Sequence, residues 1–354
     1  MTAIARPQTP GKARTYREFA REHYNLLLAA GLLAVALLVV IQVSIGSVAV
    51  SSADLFRVLS GQGQAVDPVV YTVVWELRLP RALVAMLAGA MLALAGAILQ
   101  AITRNPLAEP DLTGASSGGV LLAVLWLSRH ELVGWDFAPG GLELPFVAAI
   151  GSMAAGGLVY SLSRRKGTHP ARLILTGVLV TTVLKACTSL ILLRNQNASG
   201  SILLWIIGSL NGRTWAQWNL LWPWALIMLP LGLACAGVAN VLHLGDDVAT
   251  GLGLRAELGR GLMLLTAVLL TAGAVSVVGA LGFLGLLAPH ITRRLVGGDA
   301  RRVFPLSAIF GAALLLAADI VTRTATQPLE LPVGAVLALL GAPLLMLLVR
   351  REAI

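Results

Sequence analysis

Few side chains in this sequence could do chemistry, and they are widely spaced. Thr181, Lys185 and Ser189 recur every four residues inside an apolar run, so they share one face of a helix. Such a stripe could line a path for an anionic cargo, or Lys185 could snorkel to a membrane boundary. Asp319 precedes Arg323 by four residues in another apolar run, a spacing that suits an ion pair along one helix. Asp246 and Asp247 stand together in a glycine-rich segment, where they can start a short helix. Pro289 and His290 interrupt an apolar run that ends in Arg293, Arg294, Arg301 and Arg302. His290 has no Cys, Asp or second His at ligand spacing, so a metal or catalytic site is the weakest reading of it. A kinked helix end anchored by arginines is the stronger one.

Other chemistry is missing. The sequence contains no GxxxxGK[ST] phosphate loop, no HExxH and no GxSxG. Its five histidines are scattered, most of them at expected helix ends, where interfacial or solvated positions are expected. The two cysteines have no CxxC neighbour and read as small apolar residues. No catalytic residue, cofactor site or metal site is expected, and the chain is read as a non-enzyme.

The elements that carry these residues are membrane helices. The chain has 354 residues, of which 57% are hydrophobic and 12% charged. That is about half the charge of an ordinary soluble domain. Apolar runs near 24–43, 81–102, 112–128, 144–163, 171–193, 217–240, 257–279, 281–296, 303–325 and 333–350 suggest ten spans. Lipid cannot satisfy exposed backbone groups, so an all-α polytopic membrane protein follows. With the N-terminus inside, 18 basic residues fall on cytoplasmic segments, 7 on outer ones and one, Lys185, within a span. The positive-inside rule therefore places both termini in the cytoplasm. The same rule accounts for the net charge of +9 without a nucleic-acid partner.

Domain organisation is simple. Residues 1–23 form a cytoplasmic tail, 24–350 one transmembrane domain and 351–354 a short cytoplasmic end. An amphipathic helix is expected around "SADLFRVLSG" in the first outer loop. A second, near 199–215, should lie at the outer interface with Trp205, Trp215 and Trp218 at headgroup depth. Gly89 and Gly96 fall on one small-residue face suited to close helix packing.

Five segments carry a resemblance. They are "ELRLPRALVAMLAGA" (Glu76–Ala90), "RNPLAEPDLTGASSGG" (Arg104–Gly119), "HLGDDVATGLGLRAELGR" (His243–Arg260), "GFLGLLAPHITRRLVGGDARR" (Gly282–Arg302) and "LELPVGAVLALLGAPLLMLL" (Leu329–Leu348). In this order and spacing they resemble the FecCD-like permeases of type II ABC importers for iron–siderophore, haem and cobalamin uptake. "WIIGSLNGRTWAQ" and "GDDVATGLG" look most like the ferric-enterobactin-type branch. The resemblance implies a ten-helix permease in a bacterial inner membrane that moves a ferric siderophore. Its expected partners are a second permease, sister or identical, an ATPase subunit dimer and a periplasmic or lipid-anchored binding protein. A haem or cobalamin cargo, or a stand-alone secondary transporter, is the alternative.

The resemblance also implies residue roles. Gly245, Asp246, Asp247, Ala249, Thr250, Leu252 and Gly253, within a coupling loop at about 243–256, match the segment that docks on the ATPase. Arg78, Arg81 and Arg323 match the outer cations that receive acidic residues of the binding protein. A cytoplasmic gate is implied near the start of the fifth span, at His169, Pro170 and Ala171, where the residue types differ from the family pattern.

Overall fold

The computed structural model describes residues 22–46, 48–129, 143–164, 170–194, 200–325 and 329–350. Every regular element among them is helical. α1 (Tyr24–Ser44) leads through a polar loop that carries α2 (Ser52–Leu59), the expected amphipathic helix. A helical turn (Pro68–Tyr71) and a π-helical stretch (Thr72–Arg78) open into α3 (Leu79–Thr103). There follow α4 (Ala115–Leu127), α5 (Glu143–Arg164), α6 (Pro170–Arg194), α7 (Gly200–Ile207), α8 (Trp215–Ala234) and α9 (Ala236–His243). The chain ends with α10 (Asp246–Gly251), α11 (Ala256–Val278), α12 (Leu284–Val296), α13 (Ala300–Thr324) and α14 (Val333–Arg350).

All ten expected segments are helical, but they are not ten equal spans. Among the described residues, seven helices are long and apolar enough to cross a bilayer, the α8–α9 pair counting as one. α4 and α12 have 13 residues each, about 20 Å at 1.5 Å per residue. That is short of the ~30 Å hydrocarbon core.

Small residues set the packing. α3 is the central post, with 83% of its most apolar stretch buried, against 17% for the peripheral α1. A β-carbon at Gly89 would strike the Gly311 carbonyl on α13, and one at Gly96 would overlap Gly285 on α12. The small-residue face legible in the sequence therefore lets two helices approach α3 at backbone contact. Gly96→Leu is expected to lower the unfolding temperature in detergent markedly. Overpacking costs about 1–3 kcal/mol where neighbours can move, and here the neighbour is backbone. An unchanged melting curve would contradict this packing.

The stretch 104–111, between the second and third expected spans and so expected in the cytoplasm, turns back among the helices. Its 3-10 turn, Pro110–Thr113, packs beside α6, where the Leu112 carbonyl occupies the space a side chain at Gly177 would need. Gly285 lies against Pro110, so the first turn of α12 meets the same turn. α4 and α12 thus begin near one interior junction and run to opposite sides. Each is preceded by a left-handed residue, Gly114 (φ 71°) and Phe283 (φ 65°).

Pro289 continues α12 rather than ending it. The Gly285 carbonyl that it leaves without a helical donor accepts a hydrogen bond from Gln100 Nε2 of α3 at 3.2 Å. His290 is buried, 4% exposed, not the interfacial residue expected, because α12 is wrapped by α3, α13 and α14. Trp205 is likewise buried on α7 at 6% exposure, where a headgroup position was expected.

Candidate functional site

Three groups of polar side chains stand at three levels of the helix bundle. The innermost is built on α6. Lys185 lies about 22 Å along that helix from Pro170, near its middle. Its Nζ meets Asp111 Oδ2 of the re-entrant turn at 2.7 Å. Thr181, one turn earlier, donates to the Asp111 carbonyl at 2.9 Å, and Ser117 Oγ of α4 donates to Asp111 Oδ1 at 3.1 Å. Ser189 donates to the Lys185 carbonyl at 3.0 Å. The stripe Thr181–Lys185–Ser189 is therefore assembled as one face, and Lys185 does not snorkel alone. Its counter-ion comes from a segment that looked cytoplasmic. Lys185, Asp111, Ser189, Ser116, Ser117 and Glu109 line one cavity of about 570 Å³, completed by isoleucines of α7 and small residues of α14.

The outer group is an ionic network. Asp319, fully buried, receives Arg81 Nη2 at 2.7 Å and Arg81 Nε at 2.9 Å. Gln42 of α1 also donates to it. The third Arg81 nitrogen, Nη1, pairs with Glu330 at 2.8 Å. Asp319 thus bonds across helices to Arg81, whereas the sequence spacing suggested a pair along α13 with Arg323. Arg323 donates to the carbonyls of Gln42 (3.1 Å) and Ile45 (3.0 Å) at the end of α1. Arg78, 3% exposed, donates to Val43, Ser44 and Val48 carbonyls at 2.6–3.0 Å. α1 has no basic residue in its last turn. Two arginines from other helices satisfy the carbonyls it leaves open.

The cytoplasmic group surrounds α10. Gly245 precedes it at φ 112°, a conformation that favours glycine. The Asp246 carboxylate receives Arg104 Nη2 at 2.9 Å and the Arg260 guanidinium. The Arg260 hydrogen bond, then Arg104, holds its pKa below the ordinary carboxylate value. The stability this adds is present above the unfolded carboxylate pKa of about 4 and is lost as pH falls through the lower folded value. Ala249 is buried beneath the helix, and Thr250 donates to the Asp246 carbonyl at 2.8 Å. Gly253 closes the turn at φ 83°. Asp247 and Leu252 face outward, and the exposed Leu244, Val248 and Leu252 make an apolar surface around the helix. The seven residues singled out in the sequence thus lie together on α10 and its flanking turns.

Of the gate residues, Ala171 is exposed in the first turn of α6. Pro170 starts that helix, and His169 lies outside the described residues. No group of three or more His, Cys, Asp or Glu able to hold a metal occurs among the described residues.

A multi-pass helical membrane protein with half-length helices meeting at an interior junction belongs to the transporter class. Residues 32–351 match the FecCD transport family, and the chain is a member of that family. It is 38% identical to the iron(3+)-hydroxamate import system permease protein FhuG of Bacillus subtilis, over 90% of this chain and 94% of that one. It is 39% identical to the Fe(3+) dicitrate transport system permease protein FecD of Escherichia coli, over 77% of this chain and 83% of that one. A solved ABC transporter described as of metal-chelate type, in an inward-facing conformation, superposes with a TM-score of 0.78 and 28% identity. That match covers 92% of this chain and 99% of the other.

Proposed function

We propose that this chain is one of two permease subunits of an ATP-driven importer that carries a ferric siderophore across the cytoplasmic membrane. A binding protein delivers the cargo outside, and a separate ATPase supplies the energy inside. The Lys185–Asp111 pair carries this reading. It sits near the middle of a spanning helix, yet the Lys185 side chain is 62% exposed on the single chain. A charged group at that depth cannot face hydrocarbon without several kcal/mol of cost. Its face must therefore be wet or covered, as it is where a second permease closes around an aqueous path. The cavity beside the pair offers hydroxyls and a neutralised ion pair, walls that let a bulky chelate pass without binding it tightly.

The other groups take roles on either side of that path. α10 presents an apolar surface held by charge, suited to docking on the ATPase. Arg78, Arg81 and Arg323 lie under the outer surface that a binding protein would meet, and they keep α1, α3 and α13 in register there. The inner gate is the segment His169, Pro170 and Ala171, of which Pro170 and Ala171 open α6.

The combined substitution Asp246→Lys with Asp247→Lys tests the energy input. It places cations where Arg104 and Arg260 need an anion and reverses the charge of the docking surface. ATPase co-purification and iron uptake are both expected to fall by about tenfold, equivalent to ~1.4 kcal/mol of lost association. Full uptake and full ATPase retention in the double variant would overturn the reading of α10 as the element that docks on the ATPase.

A further inference from the structure

A second cavity, of about 290 Å³, opens at the cytoplasmic end between α3, α9, α12 and α13. Arg104, His243 and Arg293 line it, and no Asp or Glu does. Arg293 is half-buried, and its hydrogen bonds go to neutral acceptors, the Gln100 side chain and the Ala97 carbonyl. The nearest acids are engaged elsewhere. Asp299 accepts from Asn240 Nδ2 and from the Arg301 N–H at the start of α13, while Asp246 is held by Arg104 and Arg260. Val303 and Phe304 give the cavity an apolar wall. A guanidinium without a carboxylate, next to an apolar wall, fits a side chain that ends in a carboxylate and has methylenes behind it.

We propose that this recess receives an Asp or Glu side chain of the cytoplasmic ATPase subunit and that Arg104 links its arrival to α10. The proposal rests on the reading of α10 as the ATPase-docking helix. Arg104 belongs to both features: it lines the cavity and bonds Asp246 in the first turn of α10. A carboxylate entering the recess competes with Asp246 for that guanidinium, so occupancy alters how firmly α10 is held. The exposed Leu244 and Val248 lie on the same stretch of chain as His243. One surface then combines an apolar contact with an anchoring charge, the division of labour common in protein interfaces.

The test uses the assembled transporter in membranes, with His243→Lys in the permease and a zero-length carbodiimide that joins amines to carboxylates. The expected product is one cross-linked peptide joining the substituted position to an Asp or Glu of the ATPase. It should be absent when the unsubstituted permease is treated. In parallel, His243→Glu should reduce ATPase retention about tenfold at low salt and less at high salt, since the loss is one of charge. If the ATPase co-purifies but the substituted position links only within the permease, the recess assignment is wrong while the α10 reading stands. An anionic phospholipid that stays bound in native mass spectra and is lost with His243→Glu, at unchanged ATPase retention, would also overturn it in favour of a lipid site. Failure of the unsubstituted chain to retain the ATPase would remove the reading beneath the proposal.

Discussion

Arg81→Met is expected to cost this protein most of its folded yield, with the surviving fraction melting well below the parent. The substitution strands Asp319 as a carboxylate with no exposed surface, left with only the Gln42 amide and the Thr322 hydroxyl. Breaking a buried pair from one side costs about 3–5 kcal/mol, a large part of the 5–15 kcal/mol that holds an ordinary domain. Asp319→Asn should be milder, because an amide oxygen still accepts from Arg81. Arg323→Met should be milder again, since it strands no buried charge and one of its acceptors, the Ile45 carbonyl, belongs to an exposed residue. The order is checked by fluorescence-detected size exclusion with a thermal ramp. If Arg81→Met folds like the parent and loses only uptake, Arg81 serves chiefly to meet the binding protein.

The second large effect falls on the interior pair. Lys185→Met should lower iron uptake at least tenfold, because Asp111 would stand uncompensated near the middle of the bundle. Adding Asp111→Asn removes that charge, and the double variant should regain folded yield. Uptake in the double variant then separates two roles. Recovery means that the pair served to close the junction of the re-entrant turn and α6. Continued loss with normal folding means that the ammonium itself meets the cargo. A silent Lys185→Met would show that the lysine reaches water without help, and the interior path would lose its main support.

Much of this was legible in the sequence, and what was not has a physical cause. Apolar runs placed all ten helical segments, because helix length and lipid exposure act locally. The face shared by Thr181, Lys185 and Ser189 follows from helix period alone. The sequence suggests a partner for Asp319 and a pathway or snorkelling role for Lys185, but their ion-pair partners lie 238 and 74 residues away. No local spacing reveals such a pair, and the i,i+4 neighbour Arg323 was the natural substitute. Asp111 sits in a polar, proline-containing stretch that has the composition of a surface loop. Only the shortness of the apolar run that follows hinted that the chain re-enters. The resemblance implies that Arg78, Arg81 and Arg323 are outer cations that meet a binding protein, whereas Arg78 and Arg81 are buried in the assembled helices. The open carbonyls of α1 that Arg78 and Arg323 fill cannot be seen until the helices are assembled.

The central claim is that ATP, used by a partner chain, drives a ferric chelate past this permease. It is tested most directly with radiolabelled ferric citrate and ferrichrome in liposomes that hold the permease with its ATPase and second permease, supplied with the binding protein. The account predicts that at least one of the two accumulates only with ATP on the ATPase side and is unaffected by collapsing ion gradients. Accumulation without ATP that ends when the gradients are collapsed would contradict it.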